Sequence, residues 1–282
     1  MLKQRVLTAL VLAPLVVAGI FYLPPFPFFV ALMLVTLLGH WEWTQFIPGD
    51  SKIRSLIPQV VALGASAILI PFDVDSINHL AMGSVEIVGA GVAWWLLAAG
   101  FVLTYPRSAS WWSHSSLLRH LFGIMTLVPF FWSVLILRYA HLPEEPFYGA
   151  KLLLLVCLMV WAADSGAYFA GKKFGKRKMA PNVSPNKTVE GLAGGVIAAI
   201  LVSFGAAEAF NIEFSSAAAL GGVTLVTVLA SVLGDLAESM FKRVSGVKDS
   251  GNILPGHGGI LDRIDSLTAA FPVFTLLYFW QM

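Results

Sequence analysis

The sequence predicts an all-α, polytopic integral membrane protein, and two observations carry that expectation. The 282 residues are 57% hydrophobic and only 12% charged, with a mean hydropathy of +0.79. Soluble domains sit nearer about 45–50% apolar and ~25% charged. The apolar residues also gather in runs of about 17–25, the length a helix needs to cross hydrocarbon, rather than in the alternating segments of a membrane barrel. Inside a bilayer each backbone polar group must be bonded internally, so runs of this length are read as helices.

About nine spans are expected, at residues 6–23, 26–46, 56–72, 85–105, 121–137, 152–170, 189–210, 217–241 and 264–280. The first follows Lys3 and Arg5. It lacks a small-x-small cleavage site and another apolar run follows at once, so it reads as a retained helix. Pro24, Pro25 and Pro27 crowd the start of the second, and His40 and Glu42 sit near its end. The third, fourth and fifth hold few ionisable groups, whereas the sixth contains Asp164 and the eighth Asp235. The seventh opens on a glycine-rich stretch, and the ninth begins beside Asp262 and Asp265. With the N-terminus inside, every Lys and Arg except Arg138 and Lys151 falls on the inner side. Asp73, Asp75, Glu144 and Glu145 then fall outside, giving an N-in, C-out topology by the positive-inside rule.

The chain divides in character near residue 150. Residues 1–150 read as a transmembrane scaffold or interface region, with Trp41, Trp43, Trp94, Trp95, Trp111 and Trp112 expected as an interfacial belt. Residues 151–282 bring ionisable groups into the spans and read as the catalytic region, with two polar cytoplasmic loops. A single mid-span cysteine, Cys157, excludes a disulfide framework and a cysteine metal site. No interleaved basic and aromatic surface suggests nucleic acid.

Chemistry concentrates at 239–265, where cations, carboxylates, a histidine and glycines lie between apolar runs. Lys and Arg hold phosphates, Asp holds divalent cations, and glycine lets backbone N–H groups approach an anion. Asp235, Glu238 and Lys242 share one helical face, and the plain alternative is a salt-bridged helix end. Asp262 and Asp265 could simply cap a helix N-terminus, but facing Asp235 they would repel without a cation. Oxygen ligands beside phosphates suit Mg²⁺, with Asp235, Asp262 and Asp265 as expected ligands; a monovalent companion ion stays open. Asp164, costly inside an apolar helix by ~2.5–3.5 kcal/mol, needs a partner or a purpose. Ser184, Lys187, Thr188 and Glu190 precede a glycine-rich helix whose N-terminus favours an anion, though the segment is not a Walker P-loop. The run Lys172, Lys173 and 176–178 reads as a lipid-headgroup anchor.

The spacing Ser239-x-x-Lys242-Arg243, Lys248-Asp249, then Pro255-Gly256-His257-Gly258-Gly259-x-x-Asp262-Arg263-x-Asp265 resembles the signature of the phosphatidate cytidylyltransferase family, bacterial type. Asp164-Ser165-x-Ala167-Tyr168 and Ser184-Pro185-x-Lys187-Thr188-x-Glu190-Gly191 match further family segments. The resemblance covers residues 164–266; the first half is similar only as a multi-span apolar region. It implies transfer of CMP from CTP to phosphatidic acid, giving CDP-diacylglycerol and pyrophosphate for phospholipid biosynthesis. Asp235, Lys242, Arg243, Asp262, Arg263 and Asp265 would be catalytic. Asp164, Ser184, Lys187, Thr188, Glu190, Ser239, Lys248, Asp249, His257, Gly258 and Gly259 would bind CTP or phosphate, with His257 as a positioning donor. A homodimer in the bacterial cytoplasmic (inner) membrane, active on the cytoplasmic side, is also implied. A CTP-dependent polyprenol or phytol kinase, or a cytidylyltransferase for another lipid phosphate, is the related alternative. A cation transporter would instead call for inverted repeats, and none is evident.

Overall fold

The computed structural model describes residues 2–49, 51–68, 85–142, 144–254, 256 and 258–281, with side chains from Leu10 onward. Asp73, Asp75, His79, His257 and the end of the third expected span lie outside the described residues, as do the side chains of Lys3 and Arg5.

A helix stands at each expected span. In order they are α1 Leu2–Tyr22, α2 Pro25–Trp43, α3 Lys52–Ala67, α4 Val85–Leu103, α5 Ser116–Tyr139, α6 Tyr148–Phe174, α7 Val189–Phe210, α8 Ala217–Ser245 and α9 Leu261–Gln281. Among the described residues, six segments are long and apolar enough to cross a membrane: Pro25–Phe46, Val85–Leu103, Ser116–Tyr139, Tyr148–Phe174, Val189–Phe210 and Ala217–Ser245. α3 has only 16 residues and carries Lys52 and Arg54 in its first turn, and α9 carries Asp262, Arg263 and Asp265 in its first turns. The prolines that crowd the second span set its start, because Pro25 occupies the first turn of α2, where no N–H partner is lost. Ser51, Ser115, Thr188 and Ser216 cap α3, α5, α7 and α8 by accepting a backbone N–H three residues on. Leu96, Leu103, Leu201 and Trp280 stay exposed on the outside of the bundle, as lipid-facing side chains would.

One departure from an all-helical chain lies between α6 and α7. Strands β1 Lys178–Ala180 and β2 Ser184–Thr188 form an antiparallel hairpin that ends at the cap of α7. The expected tryptophan belt is a second departure. Trp43, Trp94, Trp95 and Trp112 are buried, while Trp41 and Trp111 remain exposed. Trp43 and Trp112 pack against Phe241 of α8, with ring centroids 4.9 and 5.2 Å away, and Trp94 stacks on Phe122 at 4.7 Å. Their indoles are partly satisfied inside: Trp43 donates to Arg119 O at 2.9 Å, Trp94 to Thr126 Oγ1 at 3.0 Å and Trp95 to Thr268 O at 3.1 Å. Both main hydrophobic clusters draw on residues from either side of position 150, so the two regions share their cores.

Small residues set the closest helix approaches. On α6 and α7, a side chain at Gly195 would meet the carbonyl of Ala163, and one at Gly166 would meet the Gly194 carbonyl, both at 2.7 Å. Such contacts let backbones pack closely where hydrophobic burial offers no drive between helices. We expect Gly195→Ala to destabilise the protein by about 1–3 kcal/mol through overpacking. Gly205→Ala, on the same helix with nothing within 4 Å of the added carbon, should leave the thermal midpoint in detergent unchanged or higher.

Candidate active site

The polar residues converge where the C-terminal ends of α6 and α8 and the N-terminal end of α9 meet the hairpin. α8 and α9 cross at Gly234, where any Cβ would strike the backbone carbonyl of Asp265. That close passage brings Asp235 and Asp265 within electrostatic reach of each other. Asp164 lies within reach of Asp235, Lys187 and Arg263, and remains accessible. Lys187, carried on β2, pairs with Asp235 at 2.6 Å, and Ser239 donates to the same carboxylate at 3.3 Å.

A second, more deeply buried set sits beside it. Lys242 Nζ lies 2.5 Å from Glu238 and 2.8 Å from Asp262, with side-chain exposures of 16%, 4% and 6% respectively. Removing Lys242 would leave two buried carboxylates without their cation. Asp262 also accepts from Ser250 N at 3.0 Å and from Gly259 N at 2.7 Å. Burial works against its charge, but the bonds from Lys242, Gly259 and Ser250 outweigh it and hold this carboxyl, ahead of the expected span, below its ordinary range.

Several expected phosphate contacts therefore have other occupations. Lys242 is held between two carboxylates, and the Gly259 N–H serves Asp262. Gly258 has φ +79°, and a side chain there would also strike Asp262, so glycine is required by conformation and by space. Thr188 is buried and caps α7 through Gly191 N at 3.1 Å. Glu190 accepts from Lys176 N at 2.9 Å and Arg177 N at 3.1 Å, closing the basic loop onto α7. Ser184 sits in the hairpin ladder opposite Ala180. By contrast, Arg243, Lys248, Asp249 and Arg263 are exposed. Arg243 makes one long bond, from Nε to Val183 O at 3.4 Å.

The expected metal triad is not gathered at one point: among the described residues, no three His, Cys, Asp or Glu side chains form a metal-holding group. The lone pairs of Asp262 are taken by protein donors. Asp235 and Asp265 lie within electrostatic reach of each other, and their carboxylate oxygens are of the type a hard cation takes alongside phosphate and water.

Residues that the motifs do not point to complete the arrangement. Glu42, at the end of α2, is 1% exposed and accepts from Leu261 N at 2.7 Å, Ile260 N at 3.0 Å and Ser250 Oγ at 3.1 Å. Gln45 donates to the Ser250 carbonyl. Arg119 donates to Phe46 O and to Ser245 Oγ, joining α5 to the ends of α2 and α8. The available signal for Glu42 is an acid inside an apolar run, which is costly without a role.

The family model for cytidylyltransferases matches residues 3–280. Over 297 aligned residues the chain is 46% identical to a phosphatidate cytidylyltransferase of Haemophilus influenzae, with all of both chains covered. It is 42% identical to the enzyme of that name from Pseudomonas aeruginosa, over 98% of this chain and 97% of the other. With the one from Bacillus subtilis it shares 34% identity over 99% and 97%.

Lys242→Met leaves Glu238 and Asp262 buried without a cation and should cost about 3–5 kcal/mol, read as a fall in the thermal midpoint. Lys187→Met breaks a pair that is 25% and 31% exposed and should cost below about 1 kcal/mol.

Proposed function

Because the chain belongs to the cytidylyltransferase family and is a membrane-embedded nucleotidyltransferase, we propose that it transfers CMP from CTP to phosphatidic acid. The products are CDP-diacylglycerol and pyrophosphate. The observation that carries this reading is the meeting of exposed Arg263 with Lys187, Asp164, Asp235 and Asp265 at one end of a bundle of apolar helices, with exposed Arg243 bonded to the adjoining hairpin turn. That location suits a water-soluble nucleotide and a lipid that stays in the bilayer. Three relatives covering nearly the whole chain carry the name phosphatidate cytidylyltransferase.

An oxygen of the lipid phosphate attacks the α-phosphorus of CTP, a P–O bond forms there, and the bond to the β-phosphate oxygen breaks to release pyrophosphate. A phosphate monoester already carries an ionised oxygen, so little proton removal is needed. Arg243, Lys248 and Arg263 hold phosphate oxygens, while Lys187 orients Asp235 and stands ready to exchange that carboxylate for a phosphate. The work of the chain is positioning and charge stabilisation. Asp235 and Asp265 are the residues that would hold Mg²⁺, which when bound supplies positive charge to the phosphates. Asp262 anchors the loop that presents Arg263.

We further propose nine crossings, N-in and C-out, in a bacterial cytoplasmic membrane with the site facing the cytoplasm. The distribution of Lys and Arg along the chain supports that orientation.

Purified protein given labelled CTP, phosphatidic acid and Mg²⁺ should yield lipid-soluble CDP-diacylglycerol and stoichiometric pyrophosphate. Labelled lipid with release of CDP instead would mark a kinase, and no turnover with any lipid phosphate would reject the reading. Chelation should abolish turnover. Asp265→Asn should raise the Mg²⁺ concentration for half-maximal rate at least tenfold, and an unchanged Mg²⁺ dependence would remove Asp265 from the metal site.

A further inference from the structure

The most heavily engaged acid outside the motif region belongs to the first half of the chain. Glu42 is buried, and three donors converge on its carboxylate. Two of them, Ile260 N–H and Leu261 N–H, open α9, where the first amides have no partner within the helix and the helix dipole favours negative charge. Glu42 thus caps α9 from 219 residues away in the chain. The third donor, Ser250 Oγ, also accepts from Asp262 N at 3.2 Å, and Ser250 N donates to the Asp262 carboxylate. The loop is shaped around this carboxylate: a Cβ at Gly251 or Gly259 would strike Glu42 side-chain atoms.

We propose that Glu42 is a positioning residue for the nucleotidyl-transfer site: it sets the loop at Ser250 and at Gly259–Ile260 and the phase of α9, and so the placement of Asp262, Arg263 and Asp265 against α8. The chain of contacts is continuous. Glu42 fixes Ser250, Ser250 fixes Asp262, and Asp262 with Glu238 fixes Lys242. Gln45 grips the Ser250 carbonyl from the same helix end. An apolar side chain would fill this place at lower desolvation cost, so the carboxylate is there for what its bonds hold. The inference rests on the reaction proposed above. Glu42 touches neither α8 acids nor the exposed cations, so its effect passes through the loop.

The test is steady-state kinetics on full-length wild type, Glu42→Gln, Ser250→Ala and the double variant, each verified as folded by thermal unfolding in detergent. Glutamine keeps the volume but has only one acceptor oxygen, so its NH₂ must face either the Ile260 N–H or the Leu261 N–H. We expect kcat to fall about 10–100-fold in Glu42→Gln, the scale of small misplacements in a site. KM for CTP and for lipid should stay within about threefold, since no substrate contact is lost. Ser250→Ala should fall in the same direction, and the double variant should be no worse than the poorer single one, because both cut one strap. A folded Glu42→Gln with wild-type kcat, or a strictly additive double variant, overturns the inference and leaves the proposed reaction intact. If Glu42→Gln does not fold, a folded Ser250→Ala at wild-type kcat overturns it equally. A wild type that does not turn over CTP overturns the proposed reaction and this role with it.

Discussion

A carboxylate removed from water must find its hydrogen bonds inside the protein, and at Glu42 that requirement joins distant parts of the chain. Its acceptors are filled by the opening amides of α9 and by the Ser250 hydroxyl. Each bond to a charged group contributes about 1.5–3 kcal/mol, and an unmet one costs more. The end of α2, the polar loop and the start of α9 are therefore held as one unit. The aromatic packing of Trp43 and Trp112 on Phe241 fixes the same helix ends from the apolar side. Arg119, bonded to Phe46 O and Ser245 Oγ, closes the frame.

Within that frame the charges fall into two sets with different work. Glu238 and Asp262 hold Lys242 between them under cover, so this set defines geometry and leaves that cation no free bond to offer. Asp164, Lys187, Asp235, Arg243, Lys248 and Arg263 stay more accessible and are able to meet phosphates. Separating these sets allows a rigid inner anchor beneath groups that exchange partners when substrate arrives. Gly234 is the geometric pivot, since it lets α8 and α9 approach closely enough for Asp235 and Asp265 to share a field.

Much of this was legible in the sequence. Hydropathy placed a helix at every expected span, whereas Asp235 and Asp262, expected together, pair separately with Lys187 and with Lys242. What escaped depends on long-range partners. Glu190 lies in a motif, yet its bonds go to the 176–177 backbone, which spacing cannot reveal. The tryptophans read as interfacial by residue type, whereas their rings are buried by packing against α8. Glu42 stood out only as an acid in an apolar run, because its partners lie more than 200 positions away.

The most direct measurement is amide hydrogen exchange in the wild-type protein, resolved at the start of α9. The first amides of a helix ordinarily lack partners and exchange quickly. If Glu42 caps α9, the amides of Ile260 and Leu261 will exchange as slowly as those of the helix interior, and far more slowly than Ala217 and Ala218 at the start of α8. Fast exchange at Ile260 and Leu261, matching the start of α8, would contradict the account.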